Sequence, residues 1–455
     1  MRAARLPSAL ITIALVVVAA WPARAQTDQV TTPPQNLVLS NYNSVPVGPF
    51  GGLEGAAYAA RVGDPSAAWF NPAGLAREDS AQISGSAGVY QRTSVSPDAL
   101  PNTGGSIQQL PNYVGFTFKP NAHLTAGAAL ITTQAWNQET DSELISTVPA
   151  GQQRFAYSAD SDYETRVLAI GAGYHGDGPW RYGGGFAFSV MDLRLVQSAS
   201  DRLADATGLK TLLITSRTSA SAIQMRAQGG VQYDLSPWQF GAAVRTPGAT
   251  LYRSGVVTLD ALLDTGATSI GASVFDPNAA SAYHLPWEFQ GGAAWVHPRA
   301  EIEVDLQAFS PIAKYALVST ANPTVIYTDV GGGTPPTVST QPFGGLVSHS
   351  EGVVDVSAGG HVKLMSDRDL RLHLGVANNR SPVAGDDQIF DRVDLITWTV
   401  GLSGSLGKFR FAAGFNHQSG NADGLNLRNL LNGQAVTTTV NVSMTGFIYS
   451  LAYQF

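Results

Sequence analysis

The chain predicts an all-β fold, a transmembrane antiparallel β-barrel of about fourteen strands with an N-terminal hatch plugging the lumen. Three observations predict it: an alternating aromatic run at the C-terminus, a secretory leader, and connections that alternate between short and long. In the closing run, Phe447, Tyr449, Leu451, Tyr453 and Phe455 share one face of a strand. Gly446, Ile448, Ser450, Ala452 and Gln454 share the other. Large apolar groups suit a lipid-facing side, and small or polar ones suit a lumen.

At the other end, Arg2 and Arg5 precede an apolar run from Leu10 to Ala20, and Ala23-Arg24-Ala25 is a small-x-small cleavage site. Residues 1–25 read as a signal peptide, because the run is too short and wrongly flanked for a membrane helix. The 455-residue chain has no cysteine, which argues against a lipid-anchored N-terminus, disulfides and thiolate metal sites. Without Arg2, Arg5 and Arg24 the balance is 24 basic against 34 acidic residues with no Lys/Arg run, which argues against a nucleic-acid partner. Charged residues are 13% of the chain, about half the usual globular share. No later apolar stretch approaches spanning-helix length, so residence in a membrane requires a closed barrel. The expected setting is the bacterial outer membrane, with a monomeric barrel in contact with its lipid.

Six tight turns are read at Lys119-Pro120-Asn121, His175–Pro179, Asp234–Pro237, His297-Pro298-Arg299, Ser366–Asp369 and Leu406-Gly407-Lys408. Seven longer polar connections lie between them, at roughly 93–109, 136–160, 196–218, 255–283, 315–348, 378–391 and 419–440. Thirteen connections join fourteen strands, with the short ones expected on the periplasmic side. Residues 223–233, 301–308 and 370–377 alternate cleanly, as in Glu301, Glu303 and Asp305 against Ile302, Val304 and Leu306. Phe118, Tyr174, Trp180, Tyr182, Trp238, Phe240, Phe409 and Phe411 are expected to form the periplasmic aromatic girdle.

Residues 26–79 do not read as strand, and the barrel is assigned to residues 80–455. A compact Ala/Gly-rich segment carrying Leu53, Tyr58, Val62, Trp69, Phe70 and Leu75 predicts a plug, since fourteen strands enclose more space than side chains fill. Gly52–Tyr58 and Gly63–Leu75, with Asn71-Pro72-Ala73 at the centre, resemble the hatch of the FadL/TodX family. Pro111-Asn112-Tyr113, His284–Phe289, Arg371–Ala377 and Ser381-Pro382-Val383 resemble later segments of that family in order. The resemblance implies a fourteen-stranded outer-membrane transporter of long-chain fatty acids and other hydrophobic molecules, without a cofactor. Gly55, Asn71, Pro72, Ala73 and Gly74 would then shape and gate the hatch. Pro72 restricts Asn71 to extended backbone, and the Asn71 amide can satisfy nearby backbone groups, so its expected role is structural.

Two outer connections carry leucines. Ser200 reads as an N-cap and Gly208 as an end signal for a short helix bearing Leu203, with Leu209 and Leu212 beyond it. Leu259, Leu262 and Leu263 cluster in a second helical turn. The resemblance implies that such helices capture ligand first; packing of the two loops on each other is the plainer alternative. Arg226 and Arg245 are placed on lumen faces, and Arg194 near the outer end of its strand, as candidate anchors for a ligand carboxylate. Lateral release through a kinked third strand is implied by resemblance only, because LITTQAWN in that strand has no Gly or Pro to mark a kink. Enzymatic signals are weak: the GxGxxG match at Gly171–Gly176 closes a strand with no helix after it, no GxSxG elbow occurs, and the eight histidines have no ligand spacing. The expected function is uptake of hydrophobic small molecules. A reading from another class is a barrel of this type serving protein secretion or surface assembly.

Overall fold

The structure is a computed structural model that describes residues 38–97, 105–148, 151–206, 208–365, 369–385, 388–428 and 435–455. The expected signal peptide and the Ser366-Asp367-Arg368 part of one turn lie outside the described residues. Seven strands run in order: β1 (Gln82–Pro97), β2 (Gly105–Phe118), β3 (Leu124–Val148), β4 (Gly151–His175), β5 (Trp180–Asp205), β6 (Gly208–Leu235) and β7 (Trp238–Arg245). β8 (Ala249–Asp264) and β9 (Ser269–Ser281) form a hairpin on the outer half of β6. β10 (Glu288–His297) returns to pair with β7, and β11 (Ala300–Phe309) pairs with β10. β12 (Ile312–Ser319), β13 (Thr324–Asp329), β14 (Thr337–Gln341) and β15 (Leu346–Ser350) extend the wall outward. β16 (Val353–Lys363) then pairs with β11, followed by β17 (Leu370–Asn379), β18 (Asp394–Leu406), β19 (Phe409–Arg428) and β20 (Ala435–Gln454).

β20 pairs antiparallel with β1, from Gln82 opposite Gln454 to Pro97 opposite Val440, and closes the ring. The ring order is β1 to β7, β10, β11 and β16 to β20, fourteen strands as the turns predict. Alternation has the expected phase. Ile302, Val304 and Leu306 are exposed to the outside, whereas Glu303 and Asp305 are buried in the lumen. All eight girdle aromatics are exposed beside the short turns. In lipid every backbone group needs an internal partner, and closure supplies it without an edge.

The long connections are the main departure from expectation. Most are strand: β3 and β4 pair up to Val148–Gly151, and β5 and β6 up to Asp205–Gly208. The predicted helix after Ser200 is absent for the same reason. Its N-cap and end signals are local, but residues 200–205 pair with residues 208–213 across the hairpin, from Ser200 opposite Leu213 to Asp205 opposite Gly208. Leu259, Leu262 and Leu263 likewise lie on β8, paired with β6.

Residues 38–81 lie within the ring. They carry a 3-10 turn at Gly51–Leu53, a short α-helix at Ala67–Phe70 and a 3-10 helix at Pro72–Arg77. Asn71 is extended, with φ −157° and ψ 107°, and its side-chain oxygen accepts from Ala73 N at 3.2 Å. Its amide donates to Ala59 O and to Val231 O of β6, each at 3.0 Å. Pro72 begins the 3-10 helix, where its missing N–H costs nothing. Gly55 has φ +64° against the Val376 backbone, a conformation and a clearance that favour glycine.

The wall accommodates this segment through missing side chains. A Cβ on Gly183 would collide with the Pro72–Ala73 backbone, and one on Gly230 with the Asn71 side chain. Gly183→Ala should therefore destabilise the barrel by about 1–3 kcal/mol, the range for overpacking. Gly178→Ala, at a turn position with open space around it, should not. The temperature at which each purified barrel loses its compact electrophoretic form checks the pair.

Candidate functional site

The lumen has two levels of opposite character. On the level of the short turns, buried charges of the wall meet the inner segment. Arg61 donates to Glu303 of β11 at 2.7 Å, to Glu301 at 3.2 Å and to Glu54 at 2.5 Å. The amides of Tyr58 and Ala59 donate to Asp305 at 3.0 and 2.9 Å. Arg245 pairs with Glu288, donates to Trp69 O and stacks on the Trp69 ring at 3.8 Å. Burial alone would raise the Glu54 carboxyl; the Arg61 guanidinium and two imidazole hydrogen bonds outweigh it and hold the group well below the ordinary carboxylate range.

On the outer level the lumen is apolar. Trp136, Tyr163, Met191, Leu193, Val257 and Leu259 face inward together with Leu317, Val318, Leu395, Val440, Val442 and Met444. Val38 and Leu39 of the inner segment insert into this chamber. Buried polar groups interrupt this lining, among them Gln134 and Gln224. The Tyr163 hydroxyl donates to Gln134 at 3.1 Å and lies 3.2 Å from the Tyr283 hydroxyl, and Tyr42 stacks on Phe309 at 4.3 Å. An apolar chamber with a few placed polar groups is the usual form of a site for a hydrophobic ligand.

The predicted anchors separate. Arg226 is buried and gives one Nη to Glu288 at 2.9 Å, while its Nε has no acceptor among the described residues. Arg245 has both Nη groups engaged, by Glu288 and Trp69 O. Arg194 is misplaced by the sequence reading: Met191 and Leu193 face the chamber, so Arg194 faces outward, exposed and 3.8 Å from Asp160. Of the leucines, Leu259 lines the chamber, Leu212 and Leu263 pack together on the outer hairpins, and Leu209 and Leu262 are exposed. Leu203 is half-buried near the hairpin tip.

The third strand does carry a defect. Thr132 pairs with Arg166 and Gln134 with Thr165, so Thr133 is an extra residue, a β-bulge. The ladder between β2 and β3 stops at Tyr113–Ile131, just below it, while β2 continues to pair with β1. Val45 of the inner segment donates to Thr133 O at 3.2 Å. Backbone pairing between β2 and β3 thus ends beside the bulge at the border of the two levels, where the Thr132 hydroxyl donates to Pro111 O at 3.2 Å. No Gly or Pro was needed, because the inner segment satisfies the carbonyl the bulge releases.

Comparison with solved structures places this arrangement. The Pseudomonas aeruginosa FadL homologue is similar over 91% of this chain and 100% of its own, with a TM-score of 0.60 at 13% identity. The Pseudomonas putida toluene transporter TodX is similar over 91% and 99%, with a TM-score of 0.52 at 14% identity. The chain has the FadL/TodX fold. The Ralstonia pickettii toluene transporter TbuX is similar over 90% and 98%, with a TM-score of 0.52 at 15% identity. No protein-family model and no curated protein matches the chain. TodX and TbuX are toluene transporters, not enzymes.

The first described part of the inner segment is held by Asp391, between β17 and β18. Its carboxylate accepts from Val38 N at 2.8 Å, and its N–H donates to Val38 O at 2.9 Å. Burial pushes the Asp391 carboxyl up to about 7, although the residue keeps part of its surface open and the Val38 bond favours the ionised form. A raised acid stabilises the docked arrangement fully below its ordinary 3.8, and that stability is lost as pH climbs through about 7. Hydrogen exchange of residues 38–45, corrected for its intrinsic pH dependence, should speed up between pH 5 and 8. Asp391→Asn, which stays neutral, should flatten the profile.

Proposed function

We propose that this barrel sits in the bacterial outer membrane and takes up hydrophobic small molecules, from long-chain fatty acids to aromatic hydrocarbons. The observation that carries the reading is the change of the lumen from charged and plugged below to apolar above. Ligand is first captured among the leucines of the outer hairpins: Leu203, Leu209 and Leu212 on β5 and β6, and Leu259, Leu262 and Leu263 on β8. It passes into the chamber lined by Met191, Leu193 and Leu259, displacing Val38 and Leu39. Exit is lateral, through the wall where the pairing of β2 and β3 ends, with residues 38–45 as the moving part. Such movement requires ligand to bind the two arrangements differently. Gly55, Asn71, Pro72, Ala73 and Gly74 keep the body of the plug fixed while its N-terminal part moves.

Arg226 is the carboxylate anchor in this proposal, since its buried Nε has no acceptor among the described residues. Arg226→Gln should weaken binding of a long-chain fatty acid about tenfold, the loss of one charge-assisted hydrogen bond, and leave toluene binding unchanged. Glu288 keeps Arg245 as partner, so the barrel should still assemble. Equilibrium binding of both ligands to the purified variant decides the point. For uptake itself, cells expressing the chain should accumulate labelled toluene or fatty acid, and deletion of Thr133, which restores the β3–β4 register, should abolish accumulation. Unchanged accumulation after that deletion would remove the lateral route; none with the intact chain would remove the transport reading.

A further inference from the structure

The eight histidines show no ligand spacing along the chain, yet the fold brings two of them together on the lumen wall. His361 of β16 and His373 of β17 are direct cross-strand partners, with ring centroids 5.1 Å apart. Glu54 of the inner segment completes the group. Its Oε1 lies 2.9 Å from His361 Nδ1 and 2.7 Å from His373 Nδ1. One donor atom from each of the three residues lies within 4.8 Å of the others, and Glu54 and His373 are fully buried.

The geometry points to a binding site for a divalent transition-metal ion of the zinc type, which would clamp the inner segment to β16 and β17. Two imidazoles and a carboxylate are a usual three-ligand set for such ions, with water in the remaining position. A polar cavity of about 190 Å³, lined by Glu54, His361, Arg371 and Ser403 among others, adjoins the group and leaves room for that water.

The surroundings complete the site in the way outer partners of metal ligands do. Arg61 holds Glu54 Oε2, which leaves Oε1 to ligate. Ser403 Oγ lies 2.7 Å from His373 Nε2, in place to accept its N–H once Nδ1 ligates. Glu301 Oε1 lies 3.9 Å from His361 Nε2 and can take the same role. Without an ion, Arg371 Nη1 at 3.3 Å can only donate to His361 Nε2, so the imidazole proton sits on Nδ1 toward Glu54. Binding moves that proton to Nε2, so His361 turns from Arg371 to Glu301. The three guanidiniums around the cavity do not forbid a cation: Glu54, Asp64, Glu301, Glu303 and Asp369 outnumber Arg61, Arg371 and Arg410.

The test uses full-length mature protein without a polyhistidine tag, stripped with EDTA in detergent and titrated with Zn²⁺ by calorimetry and with Co²⁺ by visible absorption. One ion per chain is expected, with a nitrogen-rich Co²⁺ spectrum and a higher unfolding temperature on Zn²⁺ addition. His361→Gln and His373→Gln should each weaken binding about 100-fold or more, beyond the loss typical of an outer partner. His123→Gln with His175→Gln removes the paired histidines at the short turns and should leave binding unchanged. Should a ligand variant fail to fold, X-ray absorption of the Co²⁺-loaded wild type must still show two imidazoles. No stoichiometric binding, binding indifferent to His361→Gln, or loss only in the turn variant would overturn the proposal.

Discussion

Charge placed inside a barrel must find a partner there, and most of the architecture follows from that requirement. Glu288, Glu303 and Asp305 face a lumen that fourteen strands leave too wide for side chains alone to close. Arg226 and Arg245 answer Glu288 from the wall, but Arg61 answers Glu303, and it belongs to the inner segment. Breaking one buried pair strands an uncompensated charge at about 3–5 kcal/mol, comparable to the whole margin of many folds. Segment and wall therefore depend on each other. The wall glycines serve the same end, since bonds such as that from the Asn71 side-chain amide to Val231 O form only where no wall side chain intervenes.

Above that level the requirement lapses and the lining changes. Met191, Leu193, Val257 and Leu395 have no charge to match, so the outer lumen holds its shape by packing. Where the levels meet, β3 bulges at Thr133 and its backbone pairing with β2 ends. A defect there costs little: below, it would disturb the charge pairs, and here Val45 donates to the freed carbonyl. The bulge and the segment beside it are one feature.

Much of this was legible in the sequence, and the failures have a common cause. The six turns and the alternation in 223–233 and 301–308 depend on nearest neighbours along a strand, and both gave the right count and phase. Asn71-Pro72-Ala73 announced a turn for local reasons as well. What failed needed the partner strand. Ser200 and Gly208 read as helix signals because nothing in them shows that β6 runs opposite β5. Arg194 was placed by its position along the strand, while the phase set by Met191 and Leu193 turns it outward. The bulge at Thr133 left no mark, since an inserted Thr is ordinary in a strand. His361 and His373 could have been paired, because they stand at equal distances either side of Asp367 in the expected hairpin turn. Spacing along the chain conceals what reflection about a turn reveals.

The distribution of partners also decides which part of the inner segment is free to move. From Leu53 to Arg77 it is held by ion pairs to β11, by Arg245 over Trp69, and by the Asn71 and Gln232 amides. Each such charged contact is worth about 1.5–3 kcal/mol, so releasing the group together would exceed what a hydrophobic ligand can return on binding. From Val38 to Pro46 the side-chain holds are hydrogen bonds of neutral groups: Gln134 to Ser40 O and Asn41 O, Asn41 to Asn379 O and Val393 O, Asn112 to Pro46 O and Gln418 to Ser44 O, with Val45 N to Thr133 O along the backbone and Asp391 at the end. At about 0.5–1.5 kcal/mol net each, these are individually weaker than the charged contacts below and can be released one at a time. They also line the apolar chamber and reach the bulge, so a ligand that displaces Val38 and Leu39 acts directly on the contact at Thr133. A gate confined to this stretch needs no movement of the plug body, and the charged level beneath can stay sealed while the wall opens above it.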